Sequence, residues 1–167
     1  ERLDADAMEQ AILAMADARR VEFYGFGASG AVASDAQHKF FRLQVSTAAY
    51  SHPHMQAMSA VTLGPYDVAV AISQTGRTKD LLHSATLVVE AGATLISLCP
   101  SHTPLAELAR IHIPIDVIED TDIYTPLSSR IAHLVVIDVL AMGMAMRRGP
   151  ELVNHLKSVK RSLRGLR

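Results

Sequence analysis

Val68-Ala69-Val70-Ala71-Ile72, running into Ser73-Gln74-Thr75-Gly76-Arg77-Thr78, is the stretch that decides the fold. Five consecutive apolar residues, β-branched at alternate positions, suit a strand covered on both faces. Such a strand belongs in the middle of a parallel sheet with helices on either side. The run stops in a hydroxyl-rich turn. A helical pattern starts at once from Thr78 or Lys79, continues to about Ala91 and is stopped by Gly92. Strand, polar turn and helix in direct succession are half of a βαβ unit.

The same alternation extends both ways. Toward the C-terminus, residues 94–98 read as a strand, 105–109 as a short helix and 111–115 as a fifth strand. A long apolar helix over 127–146 follows, then a break at Gly149-Pro150 and an amphipathic helix over 151–163. Toward the N-terminus, residues 4–18 form a helix capped by Asp4 or Asp6, with Met8, Ile12 and Met15 as its apolar stripe. Strands follow over 21–26 and 45–50, with helices from about 31 to 43 and from 55 to 63. The expected architecture is one α/β domain over residues 1–167. It has a three-layer, doubly wound, five-stranded parallel sheet flanked by helices.

Composition agrees and excludes several classes. The chain has 167 residues, 49% of them apolar but only 5% aromatic, so its core is built from Ala, Val, Leu, Ile and Met rather than from stacked rings. Disorder and collagen are excluded. The single cysteine, Cys99, excludes a disulfide framework and a cysteine-based zinc site. No metal is expected either: His52-x-His54 is the only close histidine pair, and no carboxylate sits at short range to complete a ligand set. No signal peptide is recognisable, and His133 and Asp138 argue against a membrane span in the long helix, so a cytoplasmic location without membrane contact is expected. The net charge of −1 conceals a basic end, with seven Lys/Arg against Glu151 from Arg147 onward.

Ligands of an open parallel sheet bind beyond the carboxyl ends of its strands. Two turns there carry small hydroxyl residues directly before a helix: Gly27-Ala28-Ser29-Gly30, and Ser73 to Thr78. A helix N-terminus attracts phosphate through its unpaired N–H groups. Glycine lets the backbone come close, and Ser and Thr hydroxyls donate to phosphate oxygens. Either turn alone would read as ordinary capping and turn chemistry; the pair on adjacent strands points to a site. Gly25-x-Gly27-x-x-Gly30 has dinucleotide spacing, but no acidic residue closes the next strand, and there is no P-loop lysine. No cofactor is therefore expected.

Gly27-x-Ser29-Gly30 together with Ser73-Gln74-Thr75-Gly76-x-Thr78 resembles the sugar isomerase (SIS) domain, over roughly residues 4–148. Three further stretches resemble the effector domain of bacterial RpiR-type transcriptional regulators: 35–40 (Asp-Ala-Gln-His-Lys-Phe), 54–58 (His-Met-Gln-Ala-Met) and 119–127 (Glu-Asp-Thr-Asp-Ile-Tyr-Thr-Pro-Leu). The resemblance implies an SIS-type sheet, a phosphate held by Ser73, Gln74, Thr75, Gly76 and Thr78, and Ser29 with Gly30 at the sugar-acid end. It further implies a homodimer, and a DNA-binding helix-turn-helix domain that would precede Glu1. The chain's start without Met is expected of a piece of a longer protein. The implied function is effector sensing by a repressor of glucose and Entner–Doudoroff metabolism, not catalysis. The implied effector is 2-keto-3-deoxy-6-phosphogluconate.

The alternative is a phosphosugar aldose–ketose isomerase, which needs a base near the substrate carbon. Glu119 and His54, both at the ligand end of the sheet, are the candidates. Glu119 is also expected to line the pocket and accept sugar hydroxyls. Arg130, at the start of the long helix, is the residue suited to meet an effector carboxylate. The long helix is apolar nearly all round and is expected to be buried against the sheet or a second subunit. The terminal helix carries a heptad-like stripe of Leu152, Leu156, Val159, Leu163 and Leu166. Its basic face is expected to be solvated rather than bound to DNA, which only the missing N-terminal domain would contact.

Overall fold

A computed structural model describes residues 3–120 and 126–164. The central strand, β3 (Asp67–Ile72), is buried at all six positions. Around it stand β1 (Arg20–Tyr24), β2 (Thr47–Tyr50), β4 (Thr94–Cys99) and β5 (Ile111–Pro114). All are parallel, in the order β2-β1-β3-β4-β5. The helices are α1 (Ala5–Ala16), α2 (Gly27–Arg42), α3 (Pro53–Ala60), α4 (Lys79–Glu90), α5 (Pro104–Leu108), α6 (Ser128–Arg148) and α7 (Pro150–Ser162).

The alternation along β3 separates two cores. Val68, Val70 and Ile72 join Phe23, Ile96 and Leu98 under α1, α2 and α6. Ala69 and Ala71 join Tyr24, Leu95 and Cys99 under α4 and α5. Local chemistry sets the ends. Asp4 Oδ1 accepts from the Asp6 and Ala7 amides, each at 3.1 Å, and so caps α1. The buried Asp67 receives Arg19 Nη2 at 2.7 Å and the Gly64 amide at 2.9 Å, which fastens the start of β3.

One carboxylate is wholly inside. Glu22 of β1 is fully buried and accepts from Tyr24 Oη at 2.6 Å and from Ser59 Oγ of α3 at 2.7 Å, with Arg20 Nε 3.3 Å away. A buried charge persists only with such partners. Burial, and then the hydrogen bond to Glu22, push the Tyr24 phenol far up.

Two expectations change. The Gly27–Gly30 turn is already helix, because α2 starts at Gly27 instead of Ala31. Helix α6 is not buried all round. Ser129, His133, Val136, Ile137, Leu140 and Met144 face the core, whereas Ile131, Val135, Val139, Met142 and Met146 are exposed. A helix laid on one sheet face and flanked by α1 and α2 has one side left over. By length and composition alone α6 is sufficient to cross a membrane, yet its inner face is packed on this sheet. In α7, Leu152 is buried, Leu156 and Val159 half-buried and Leu163 exposed, while Lys157, Lys160, Arg161 and Arg164 all face solvent. Leu166 lies outside the described residues.

Tyr24→Phe removes a donor from a buried carboxylate, and stability in urea unfolding is expected to fall by about 1.5–3 kcal/mol.

Candidate functional site

Strands β1 and β3 are direct neighbours, paired from Arg20↔Asp67 to Tyr24↔Ala71. The helices that follow them leave toward opposite faces, α2 into one core layer and α4 into the other. A crevice opens where they part. It holds a cavity of about 160 Å³ lined by Phe26, Ala28 and Ser29 from the β1 side, by Ser73, Gln74, Thr75 and Thr78 from the β3 side, and by Ile72, Leu81 and Pro126.

The lining offers donors. Thr78 is the N-cap residue of α4 and Phe26 that of α2, and neither makes a side-chain capping hydrogen bond. By contrast, α1 is capped by Asp4 and α5 by Thr103. The Gly27 and Ala28 amides of α2 and the first-turn amides of α4 therefore keep their partial positive charge beside the cavity, whereas the Ser29 amide donates to the Phe26 carbonyl at 3.0 Å. Ser73 and Thr75 each use the hydroxyl oxygen locally: Ser73 Oγ accepts from the Gly76 amide at 2.9 Å, and Thr75 Oγ1 from the Arg77 amide at 3.2 Å. Their hydroxyl protons remain available to an acceptor in the cavity.

Of the residues picked out by sequence, Ser29, Ser73, Gln74, Thr75 and Thr78 come together on this cavity. Gly30 does not line it. A Cβ at Gly30 would sit 3.0 Å from Ser51 Cβ, so this glycine lets α2 pack against the end of β2. Gly76 shapes the turn from behind, at φ +63°. Arg77 reaches away, donating to the His102 carbonyl at 3.3 Å. Arg130 is exposed on α6, and His54 is exposed at the start of α3, stacked 5.4 Å from His52; neither lines the cavity.

Glu119 has a different task from the one expected. Its carboxylate accepts from the amides of Leu127 at 2.5 Å and Ser128 at 2.7 Å, and from Ser129 Oγ at 2.5 Å. It is the cap of α6, supplied from eight residues upstream of Leu127, and it holds the chain where Pro126 borders the cavity. The Ser129 hydroxyl first, then the backbone amides, keep its pKa down at about 2. A group so held is a poor base at neutral pH. Residues 121–125 of the motif lie outside the described residues.

Two site features escaped the sequence reading. At Gly25 a Cβ would lie 2.5 Å from the Ser29 carbonyl oxygen, so only glycine lets α2 begin directly over β1. The signal was present in the Gly25-x-Gly27-x-x-Gly30 spacing. The other is His133, one turn beyond Ser129. It is 1% exposed, Nε2 finds no hydrogen-bond partner among the described residues, and burial lowers its pKa to about 4. Nothing in sequence separates it from an exposed helix histidine. Cys99 behaves as a buried small hydrophobe, its thiol pushed up by burial. Among the described residues no three His, Cys, Asp or Glu side chains converge to hold a metal ion.

Comparison with known proteins follows this geometry. The SIS domain profile aligns with residues 14–143. The chain belongs to the SIS domain family. This SIS domain is 45% identical over 162 residues to the HTH-type transcriptional regulator HexR of Escherichia coli, covering 97% of the chain and 56% of that relative. It is 47% identical over 148 residues to the bifunctional protein glk of Burkholderia thailandensis, covering 89% of the chain and 23% of the relative. The chain thus spans about half the length of HexR or less than a quarter of glk. Among solved structures, the Vibrio vulnificus NanR protein complexed with ManNAc-6P superposes with a TM-score of 0.91 at 22% identity, over 99% of this chain and 62% of NanR. That likeness confirms the SIS-type sheet.

Acid should unfold this SIS domain in two separable steps. His133 is neutral in the fold down to about pH 4, against 6.5 for a free histidine. The unfolded chain therefore takes up this proton first, and stability present above pH 6.5 is lost toward pH 4. Glu119, held at about 2 against 4.5, contributes stability above pH 4.5 that is lost toward pH 2. Urea unfolding midpoints across this range should show His133→Gln flattening the upper step only, and Glu119→Gln the lower step only.

Proposed function

We propose that this SIS domain is the ligand-sensing part of a transcriptional regulator and binds a phosphorylated sugar acid between β1 and β3. The observation that carries this reading is the convergence of two uncapped helix N-termini and a ring of hydroxyls on one small cavity. Ser73, Gln74, Thr75 and Thr78 take the phosphate together with the α4 amides, as phosphate sites at helix N-termini do. Gly76 lets the turn curl around it. Ser29 and the α2 amides face the sugar-acid end. Identity to HexR over nearly the whole chain supports a regulator that contacts DNA through a helix-turn-helix domain outside this chain. We infer 2-keto-3-deoxy-6-phosphogluconate, the effector that the family resemblance implies, acting in the cytoplasm. Binding shifts the regulator between DNA-competent and released arrangements by its different affinity for the two.

The partner in this scheme is a second copy. The exposed apolar side of α6, Ile131 to Met146, supports a homodimer, since unpaired apolar stripes of this kind mark interfaces. The isomerase alternative has less support. A base is needed at the substrate carbon, the described lining has no carboxylate or imidazole, and Glu119 is occupied as a helix cap.

Thr78 tests the site cleanly, because its hydroxyl makes no capping hydrogen bond whose loss would disturb the fold. A charge-assisted hydrogen bond is worth roughly 1.5–3 kcal/mol. Thr78→Val and Ser73→Ala should each weaken effector affinity roughly tenfold or more in calorimetry. Unchanged affinity in both would refute the phosphate assignment. Incubation with aldose and ketose phosphates should give no turnover.

A further inference from the structure

The turn that grips phosphate in the reading above is itself shaped by a residue outside it. Thr103, the N-cap of α5, is 4% exposed. Its side chain lies flat against Gly76. A Cβ at Gly76 would meet Thr103 Oγ1 at 2.3 Å and Thr103 Cβ at 2.6 Å. Gly76 is also tied on both sides. Its amide donates to Ser73 Oγ at 2.9 Å, and its carbonyl accepts from the Leu105 amide, in the first turn of α5, at 3.2 Å.

Thr103 cannot swing away cheaply. Oγ1 donates to the Pro100 carbonyl at 2.9 Å and accepts from the Ala106 amide at 3.3 Å, which together fix its rotamer. The turn that carries it is anchored in its own right. Ser101 donates through its amide and its hydroxyl to the two Asp116 oxygens just past β5, each at 2.7 Å. A line of anchors therefore runs from Asp116 to Ser101, along the turn that holds Pro100 and Thr103, and on to Gly76 and Ser73.

We propose that the β4–α5 turn is a rigid template for the phosphate turn, with Thr103 as the positioning residue that holds Gly76 in its left-handed conformation. Thr103 does not line the cavity and donates nothing to a ligand. Its effect is to spare the Ser73–Thr78 turn the ordering that binding would otherwise require. Removing the hydroxyl frees the rotamer, loosens the α5 cap and lets Gly76 sample other conformations that glycine readily adopts.

The proposal rests on the phosphate reading, so inorganic phosphate is the probe, which removes the identity of the sugar from the question. Amide resonances of residues 73–78 are followed by NMR as phosphate is titrated into wild type, Thr103→Val, Thr103→Ser and Asp116→Ala. Thr103→Val is expected to weaken phosphate binding roughly tenfold, equivalent to about 1.4 kcal/mol. Thr103→Ser, which keeps the hydroxyl, should restore most of the affinity. Asp116→Ala, at an exposed position that leaves the core intact, should give a smaller loss in the same direction and keeps the test open if Thr103→Val does not fold. A role in stability alone would lower the melting temperature of Thr103→Val and leave its phosphate affinity, measured well below melting, at the wild-type value; that result overturns the template. If wild-type amides fail to respond to phosphate, the site reading itself falls, and the template falls with it.

Discussion

Everything at the ligand end depends on β1 and β3 lying side by side while the helices after them depart to opposite faces. That divergence leaves two helix N-termini aimed at one crevice, where the opening amides of α4 and those of Gly27 and Ala28 in α2 have no backbone acceptor among the described residues. A protein interior does not tolerate such groups unless water or a ligand satisfies them. The hydroxyl residues complete the arrangement by supplying protons without adding charge or bulk. No cationic side chain lines the described cavity, so an anion there is stabilised by dipoles in fixed positions, which need no rearrangement to meet it.

Much of this was legible because it is local. The unbroken apolar run of β3 announced a central strand, and the polar turn behind it announced a helix start. What the sequence could not convey depends on chain distance. Glu119 looks like a loop carboxylate available for chemistry until the fold carries residues 127–129 back onto it. Arg130 sits in the correct element but on its exposed side, because the Glu119 cap holds the first turn of α6 with Ser129 inward, and His133 follows one turn later on the same face. Gly30 reads as a phosphate-loop glycine, yet the constraint on it comes from Ser51, just past the end of β2. Thr103 gave no functional signal, since its partner Gly76 is a whole βα unit earlier. The exposed face of α6 was equally unreadable: an apolar helix is apolar in sequence whether a sheet, a second subunit or solvent meets it.

Charge is handled with similar economy. Three carboxylates that might have seemed chemically interesting, Glu22, Asp67 and Glu119, are each enclosed by donors. Glu22 clamps α3 to β1, Asp67 fastens the start of β3, and Glu119 closes the start of α6. Glu22 and Asp67 join segments distant in sequence, and Glu119 closes a shorter span of chain. They hold the frame in place around a site that is itself uncharged.

The anchoring of the phosphate turn from the β4–α5 side has a consequence for how such a domain diversifies. One wall of the crevice is backed by buried groups on β4 and α5, whereas the other is the first turn of α2, where Gly27 and Ala28 leave little side chain to constrain. In the proposed site, substitutions at Ala28 would alter which sugar is accepted without touching Ser73, Gly76 or Thr103. On the proposed reading, grip and selectivity are separately heritable: a duplicated copy of this domain would drift to a new phosphorylated ligand while its hold on the phosphate stays intact.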